Sequence, residues 1–471
     1  MPDTPAAVRR RAVVIGGSTA GMLAASVLAT RFDEVIVVEA DRLPAGPAPR
    51  KGLPQARHAH LLWSSGVAAL EELLPGVTGE LTGQGAGLMD VMTDLVSKAP
   101  SGQWFRRFTD SRHQLIVCSR DLLDAVVRAN VLARSRITLL DGTRAAGLTG
   151  HRDRVTGVRV PDGPGDGETV LEADLVIDAS GRGSQASAWL RELGHGPFEE
   201  RVVDAGVAYA SRLYAAPEGT LGRRYPVINV QADPRDAPGR GGVVVPIEGD
   251  RWLVTLSGTR GGRPTADPDA FEHFALTGLK DPIIGRLLAR AKPLTDPVTT
   301  RSTANRRRYY EKSATWPEGF AVLGDAVAGY NPVYGHGLSV AGQSAIVLGR
   351  VLDRYGPAAP GTARRVQRAV ARPVGNAWNL AVGQDASYPG AAPNPPTLVE
   401  RLLSAYVDQA VAAGSENPRA LRGLLDVMSL KAPATRLFAP DMLWNIAVGP
   451  RKGPLPGPPL SRAEREAVGL N

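Results

Sequence analysis

A glycine-containing stretch near the start of the chain has the residue types needed to hold a phosphate group. Gly16-Gly17-Ser18-Thr19-Ala20-Gly21 follows a β-branched run at residues 12–15 and precedes a small-residue run suited to a buried helix. Glycines here allow a tight turn and a close approach of the backbone, and the following helix presents free N–H groups and its positive dipole end to an anion. The pattern predicts a phosphate cradle.

The next predicted strand supplies an acid at the spacing of a dinucleotide-binding unit. Glu39 ends an apolar run about 20 residues past the turn, where its carboxylate can accept hydrogen bonds from ribose hydroxyls. Ser18 stands where the fingerprint has its second glycine, and it is small enough to let a pyrophosphate approach. Residues 11–41 therefore predict a site for an adenine dinucleotide, formed by Gly16, Gly17, Ser18, Ala20, Gly21 and Glu39.

Two later segments favour FAD over NAD as this dinucleotide. Residues 173–184 predict a strand that runs into a glycine turn, and residues 320–337 predict a strand that delivers Asp325 to a turn before a helix. Asp325 can accept from ribityl hydroxyls. The helix that follows Gly337 points N–H donors to where negative charge develops on a reduced flavin ring.

These three segments, in this order, resemble the aromatic-hydroxylase-like class of FAD-dependent monooxygenases over about residues 11–355. Residues 50–61 and 325–337 resemble most closely the flavin epoxidases of polyether ionophore biosynthesis, which act on polyene polyketides. The resemblance implies reduction of FAD by NADPH, capture of O2 as a flavin C4a-hydroperoxide, and transfer of oxygen to an alkene. It implies that the flavin is the oxidant, so no catalytic side chain is assigned.

The resemblance also implies roles for single residues of this chain. Arg120 is expected to reach the FAD phosphates or ribose, and Arg57 and His58 are expected to pass beside the flavin. The loop with Pro332, Gly335 and Gly337 is expected to lie at the flavin ring. One departure concerns Ser180-Gly181, which stands where the class has Asp-Gly. How NADPH docks is therefore left open, and a separate reductase is an alternative source of electrons.

The elements that position these residues predict an α/β fold. A chain of 471 residues is too long for one simple core. We expect a discontinuous Rossmann-like FAD-binding domain, an inserted β-sheet domain that binds substrate, and a C-terminal helical cap with a Pro-rich tail at 450–459. Their predicted ranges are 1–85, 115–185 and 300–355 for the FAD domain, 86–114 and 186–299 for the sheet domain, and 356–471 for the cap and tail.

Finer patterns predict single elements. Ser119 is a plausible cap for a helix that begins at residue 120. Residues 242–256 read as a hairpin with its turn at 248–250. Within the helical cap, one apolar stripe is expected to face the core; it consists of Leu398, Leu402, Leu403 and Tyr406.

Composition and motifs argue against several other classes. The net charge is +8, but Arg306-Arg307-Arg308 is an isolated basic run, so nucleic-acid binding is not expected. The single cysteine, Cys118, lies in an apolar run and is expected to pack in the core. No window is long and apolar enough for a membrane span, and we expect a cytoplasmic protein without stable membrane insertion. The oligomeric state is left open.

Other chemistries lack their motifs. His58 and His60 have no further ligands at metal-binding spacing, so no metal is predicted. No Gly-x-Ser-x-Gly elbow is present, and the seven histidines show no partner arrangement typical of a hydrolase. The tryptophan-rich signature of flavin halogenases and the motif of Baeyer–Villiger flavoenzymes are also absent.

The sequence therefore predicts an FAD-dependent monooxygenase that epoxidises alkenes of a hydrophobic polyene polyketide, with O2 as co-substrate. Two alternatives stay open. One is a redox-neutral polyketide cyclisation in which FAD is structural. The other is a flavin-dependent reduction of a double bond, which consumes NADPH without O2.

Overall fold

The computed structural model describes residues 9–109, 112–162, 167–222, 225–391 and 397–470. The ends of the predicted domain ranges, residues 1–8 and 471, lie outside them.

The strands of the described residues form five sheets, and several sheets combine strands that are far apart in the chain. They are β1 (Arg11–Ile15), β2 (Glu34–Val38), β3 (Leu61–Leu62), β4 (Gly87–Asp90), β5 (Leu95–Lys98), β6 (Gln114–Val117), β7 (Ile137–Leu140), β8 (Gly147–His151), β9 (Arg154–Pro161), β10 (Glu168–Glu172), β11 (Leu175–Asp178), β12 (Glu200–Val203), β13 (Ala208–Ala215), β14 (Val227–Val230), β15 (Arg240–Ile247), β16 (Arg251–Gly258), β17 (Lys292–Pro293), β18 (Val298–Thr300), β19 (Asn305–Arg308), β20 (Phe320–Val322) and β21 (Ala328–Gly329).

The helices fill the spaces between the sheets and make up most of the C-terminal region. They are α1 (Thr19–Leu28), α2 (Ser64–Leu73), α3 (Val77–Gly83), α4 (Val91–Asp94), α5 (Arg120–Leu132), α6 (Ala186–Glu192), α7 (Pro268–His273), α8 (Ile283–Leu288), α9 (His336–Tyr355), α10 (Thr362–Asp385), α11 (Leu398–Gly414), α12 (Pro418–Met428), α13 (Pro440–Val448) and α14 (Arg462–Ala467).

A five-stranded sheet in the order β20-β11-β1-β2-β7 gathers the predicted site residues at one edge. Every neighbouring pair in this sheet is parallel, so the carboxyl ends of its strands lie together. The turns that leave these ends contain Gly16, Glu39, Ser180 and Asp325. The predicted α/β FAD-binding fold is confirmed, and its topology brings together residues that are far apart in the sequence.

A seven-stranded, mostly antiparallel sheet forms the second layer. It includes the predicted hairpin, since β15 and β16 pair antiparallel from residue 240 to residue 258, and Asp250 in the turn has a φ of 51°. One face of this sheet packs on α7 and α8. The other face belongs to an apolar cluster that also contains Trp63, Met89 and Leu421.

A small sheet joins the two layers. β6 pairs antiparallel with both β3 and β4. The predicted division places β4 in the substrate domain and most of β6 in the FAD domain, so this sheet crosses the proposed boundary. The division into domains stays a prediction.

The apolar stripe predicted for α11 is wrong for its three leucines, whereas Tyr406 is partly buried and packs against the C-terminal helices. Leu398, Leu402 and Leu403 are 64%, 63% and 47% exposed. The buried contacts of α11 come from small residues in its second half, where a Cβ on Gly414 would lie 2.5 Å from Leu424. Small side chains let α12 approach closely there, so the first turns of α11, with their large side chains, extend beyond the contact. Residues 449–461 of the tail form neither helix nor strand.

None of the helices in the described part of the chain combines the length and apolarity needed to cross a membrane.

Candidate functional site

The turn between β1 and α1 is shaped by glycines that no other residue can replace. Gly16 has a φ of +104°, and a Cβ there would lie 2.5 Å from the carbonyl oxygen of Ala179. A Cβ on Gly21 would lie 1.8 Å from the carbonyl oxygen of Gly16. The close helix-to-strand packing predicted for Gly21 is confirmed. Ala20 lies beside the third motif, since a Cβ on Gly324 would meet its methyl group at 2.8 Å.

Glu39 is fixed beside this turn by backbone donors. Its Oε2 accepts from the Gly17 N–H at 2.6 Å, and its Oε1 accepts from the Asp41 N–H at 2.8 Å. The carboxylate is buried at the end of β2. This is the position that a ribose-binding acid requires, and ribose binding by Glu39 stays a prediction.

Arg120 lies against the same turn, as a phosphate-binding arginine would. Its Nη2 donates to Thr19 Oγ1 at 2.8 Å and to Ser18 Oγ at 3.1 Å. The Ser119 hydroxyl accepts from the Leu122 N–H at 3.1 Å, so the predicted cap of α5 is confirmed. The Ser18 hydroxyl does not cap α1 and faces Arg120 instead. The N-termini of α1 and α5 therefore converge with a guanidinium between them.

Two further residues at the turn were not predicted. Arg50 lies with its Nη1 3.4 Å from Glu39 and its Nη2 3.3 Å from Asp124. Burial alone would raise the pKa of Asp124, but Arg120 and Arg50 hold it below its ordinary value. The buried Nε of Arg50 has no hydrogen-bond partner among the described residues, which fits an anionic ligand nearby. The spacing of Asp124, four residues after Arg120 on a helix, was the available signal.

Asp325 lies in the turn after β20, beside an arginine of the second motif. Burial raises its pKa, against the effect of Arg182 and Arg120, yet 35% of its side chain is accessible. Arg182, which was also not predicted, has its Nε 3.6 Å from Asp325 Oδ2. A Cβ on Gly337 would meet nothing closer than Asp325 Oδ1 at 3.7 Å. A side chain at position 337 would therefore start at ordinary van der Waals distance from the Asp325 carboxylate, at the N-terminus of α9. Binding of the ribityl chain by Asp325 and of the flavin ring beside Gly337 stays a prediction.

The loop from Asn331 to Gly335, named the flavin loop for its predicted place at the flavin ring, is held by a residue that follows β3 of the small sheet. Pro332 opens a 3-10 turn that ends at Tyr334, and Gly335 has a φ of +67°. The indole N–H of Trp63 donates to the Tyr334 carbonyl at 3.0 Å. A Cβ on Gly335 would lie 2.9 Å from that indole nitrogen. The tight approach explains why glycine occurs at this position.

The first residue of α9 ties the flavin loop to the C-terminal helices. His336 is buried, and its Nε2–H donates to the Met428 carbonyl at 3.0 Å. Burial lowers the pKa of His336 to about 4, so the ring is neutral at neutral pH.

Arg57 and His58 end in different environments. Arg57 is exposed at the end of a short 3-10 turn, while His58 is buried with its Nδ1 2.7 Å from Ser211 Oγ on β13. Burial and the charge of Arg57 lower the pKa of His58 to about 4. Their contact with FAD stays a prediction.

His60 is turned onto its own chain. Its Nδ1–H donates to the His58 carbonyl at 2.7 Å, and burial lowers its pKa to about 3. No group of three metal-ligating side chains occurs in the described ranges.

Ser180, which stands where the class has aspartate, is bonded to a carboxylate two residues before it. The Ser180 N–H and hydroxyl both donate to Asp178 Oδ1, at 2.9 and 2.5 Å. The Ser184 hydroxyl donates to Oδ2 of the same buried carboxylate at 2.6 Å. The Ser180 hydroxyl is therefore turned inward, and Gly181 makes the turn with a φ of +79°.

The expectation that no histidine has hydrolase-like partners is wrong for His113. Its Nδ1 lies 3.1 Å from Ser64 Oγ and its Nε2 3.1 Å from Asp426 Oδ1. The sequence places these residues too far apart to be grouped. His113 is 1% exposed and Ser64 is buried, so this arrangement joins α2 to α12 inside the protein and offers no access to a substrate.

Cys118 and the arginine triplet have structural partners. Cys118 is buried as predicted, and burial raises its pKa to about 12, which leaves the thiol protonated. In β19, Arg308 pairs with Glu200 at 3.0 Å and Arg307 with Glu311 at 2.5 Å.

A family model matches the N-terminal part of the sequence, and a relative matches most of its length. Residues 12–188 match the model described as FAD dependent oxidoreductase. The chain is 30% identical over 420 residues to Protein Rv3254 of Mycobacterium tuberculosis, a match that covers 86% of both chains.

The chain belongs to the FAD-dependent oxidoreductase family.

Solved structures share the fold of this family member at low sequence identity. The flavin-dependent brominase Bmp2 is 14% identical, with a TM-score of 0.62 over 93% of this chain and 97% of that one. PqsL from Pseudomonas aeruginosa in complex with 2-aminobenzoylacetate is 20% identical, with a TM-score of 0.57 over 80% and 97%. The myxobacterial halogenase CndH is 17% identical, with a TM-score of 0.61 over 91% and 99%. The oxidoreductase therefore has the fold of flavin-dependent monooxygenases and halogenases, and fold alone does not choose between them.

Proposed function

We propose that this oxidoreductase is an FAD-dependent monooxygenase that epoxidises an alkene of a hydrophobic polyene, such as a polyketide of polyether-type natural product biosynthesis. The observation that supports this substrate class most directly is the apolar wall beside the flavin loop. Trp63, which binds the loop, belongs to the same cluster as Leu213 and Val243 on the seven-stranded sheet. Such a wall suits an apolar substrate and excludes water.

The wall contains partly buried side chains that leave surface for a ligand. They are Ala59, Leu61, Leu95, Phe105, Phe108, Leu213 and Val243. The polar exception is the His58–Ser211–Thr255 group, in which Ser211 Oγ lies 2.6 Å from Thr255 Oγ1. The lowered pKa keeps His58 neutral, so it can orient a ligand by one hydrogen bond without adding charge.

When bound and reduced, FAD supplies the two electrons that activate O2. The chain's own residues then hold the substrate and exclude water. The reaction balances as alkene, O2, NADPH and a proton giving epoxide, water and NADP⁺. An isolated alkene has no acidic proton to remove, so the site needs no general base, and no charged acid–base pair is assigned to the wall. The electrons come from NADPH directly or through a separate reductase.

The test is product mass after turnover of a polyene in isotopically heavy O2, with NADPH and a flavin reductase present. We expect a product heavier by one labelled oxygen atom and one NADPH consumed per product. An isomeric product formed without NADPH would replace the proposal by a redox-neutral cyclisation. A product with two added hydrogens would replace it by a double-bond reductase. A product that gains a halogen atom when bromide or chloride is added would indicate halogenation, the chemistry named for Bmp2 and CndH.

The substrate wall is tested by filling it. Val243→Phe should raise KM for the polyene or abolish turnover while FAD content stays at the wild-type level. Val170→Phe is the matched control, since Val170 is 46% exposed on β10. Normal turnover by the Val243 variant would place the substrate elsewhere.

A further inference from the structure

A buried carboxylate from the C-terminal region lies directly behind the flavin loop. Asp385, the last residue of α10, is 1% exposed. It accepts from Tyr334 Oη at 2.6 Å, from Asn305 Nδ2 at 2.6 Å and from Asn331 Nδ2 at 3.0 Å. Among the described residues, no lysine or arginine lies within ion-pair distance of it. A buried charge that is balanced only by neutral donors is costly.

Two of the three donors belong to the flavin loop itself. The Tyr209 hydroxyl donates to Asn331 Oδ1, and its oxygen accepts from the Val333 N–H at 2.9 Å. The side chains of Asn331 and Tyr334 therefore point toward Asp385. Trp63 holds the same loop through the Tyr334 carbonyl. An indole and a carboxylate thus both hold the loop.

The hydrogen-bond geometry suits an ionised carboxylate. Oδ2 accepts from two amide N–H donors, and Oδ1 accepts from Tyr334 and from Asn331. Every donor is satisfied when both oxygens only accept. Burial raises the pKa of Asp385, and the three donors oppose this rise.

We propose that Asp385 is a positioning residue for the flavin loop, and that its fixed negative charge makes the flavin held there harder to reduce. The inference rests on the proposed binding of the FAD ring at this loop. Reduction adds negative charge to the ring, and a like charge fixed behind the loop in a poorly screened interior opposes that change. The hydrogen bonds set the place of the loop, and the charge sets the reduction potential.

Three variants of the full chain separate these effects. Asp385→Asn keeps the size of the side chain and removes its charge. It also places an amide N–H₂ where the neighbouring groups Asn305, Asn331 and Tyr334 donate. Tyr334→Phe removes a single hydrogen bond and keeps the carboxylate. Asp353→Asn removes a surface carboxylate on α9 that is paired with Arg31 and serves as the control. FAD dissociation constant, midpoint potential and visible spectrum are measured for each.

We expect Asp385→Asn to bind FAD about tenfold more weakly or worse, with a midpoint potential shifted in the positive direction and an altered flavin spectrum. Tyr334→Phe should weaken FAD binding with a smaller change in potential, and Asp353→Asn should change neither quantity. Asp385→Asn with a wild-type potential would overturn the role of the charge. If that variant does not fold, wild-type FAD affinity and spectrum in Tyr334→Phe overturn the positioning role. A wild-type protein that binds no FAD would overturn the proposed function as well.

Discussion

Trp63 donates its indole N–H to the carbonyl of Tyr334 at 3.0 Å, and this bond connects the apolar wall to the flavin loop. The contact is close because the next residue is glycine, whose absent Cβ would lie 2.9 Å from the indole nitrogen.

Gly335→Ala should therefore strain the flavin loop. Alanine at a φ of +67° costs about 1–2 kcal/mol, and its methyl group would displace Trp63. We expect a lower melting temperature and reduced FAD occupancy, measured by calorimetry and by the ratio of flavin to protein absorbance. Gly383→Ala, at an open and exposed helical glycine, is the control and should retain both properties. Wild-type stability and occupancy in Gly335→Ala would contradict the hold of Trp63 on the loop.

Gly337→Phe should exclude the flavin from the space in front of Asp325. A Cβ at this position meets no protein atom closer than Asp325 Oδ1 at 3.7 Å, so we expect the phenylalanine ring to occupy the place predicted for the flavin beside Asp325. We expect a folded protein that is purified colourless and has a normal circular dichroism spectrum. Gly383→Phe should stay yellow. Full occupancy in the Gly337 variant would place the ring of FAD elsewhere.

Arg120→Gln should weaken FAD binding through loss of the guanidinium at the nucleotide turn. A hydrogen bond to a charged group contributes about 1.5–3 kcal/mol, which corresponds to roughly 10- to 100-fold in affinity. Titration of the apoprotein with FAD measures the effect. Arg368→Gln, at an exposed position of α10, is matched in residue type and should bind FAD as the wild type does. Equal affinities in both variants would argue that Arg120 supports the turn without meeting the cofactor.

Acid should destabilise the protein through its buried histidines. The pKa values of His58 and His336 are lowered from 6.5 to about 4 in the folded state, so the unfolded chain binds more protons between these pH values. The free energy of unfolding should fall as pH falls from 6.5 toward 4, by at most about 1.4 kcal/mol per pH unit for each histidine. Denaturant titrations at several pH values measure the slope. His58→Gln should reduce it, and His151→Gln, at an exposed position, should not. An unchanged slope in His58→Gln would show that His58 is not a source of the acid lability.

The exposed end of α11 predicts an asymmetry between two leucines of the C-terminal helices. Leu402→Glu should change the free energy of unfolding by less than about 0.5 kcal/mol, because Leu402 is 63% exposed. Leu424→Ala should cost about 2–5 kcal/mol, because Leu424 is 5% exposed and packs in the cap. A large loss in Leu402→Glu would mean that α11 packs along its whole length.

The nucleotide half of the site could be predicted from the sequence because its determinants are local. The glycines, Glu39 and Arg120 lie at turns and caps whose spacing is set by one strand-helix-strand unit or one helix start. The remaining residues are brought in by tertiary structure. Asp385 meets the flavin loop across a long stretch of sequence, Arg50 reaches Glu39 from an irregular segment, and Trp63 acts through its indole N–H. No periodicity marks any of the three.

The leucines of α11 show what a sequence pattern cannot predict, because they form a helical stripe and are nevertheless exposed. Helical spacing of Leu398 and Leu402 correctly predicts a helix, but it does not say which face finds a partner. The partner of α11 is decided by Ala410, Ala413 and Gly414, whose small size permits a close crossing. Side-chain volume at the crossing point outweighed hydrophobicity along the stripe.

The position of Asp385 in the chain has a consequence for how the protein is made. During synthesis, the turn at Gly16 and the capped start of α5 leave the ribosome well before residue 385, and β1 gains its neighbour β11 once residue 178 has followed. The flavin loop acquires its carboxylate only when residue 385 has left the ribosome, and His336 acquires its acceptor only when residue 428 has followed. On the proposed placement of FAD, the residues predicted to bind the nucleotide are all synthesised before the carboxylate that holds the flavin loop, so the seat of the coloured ring is completed last, when the C-terminal helices are in place.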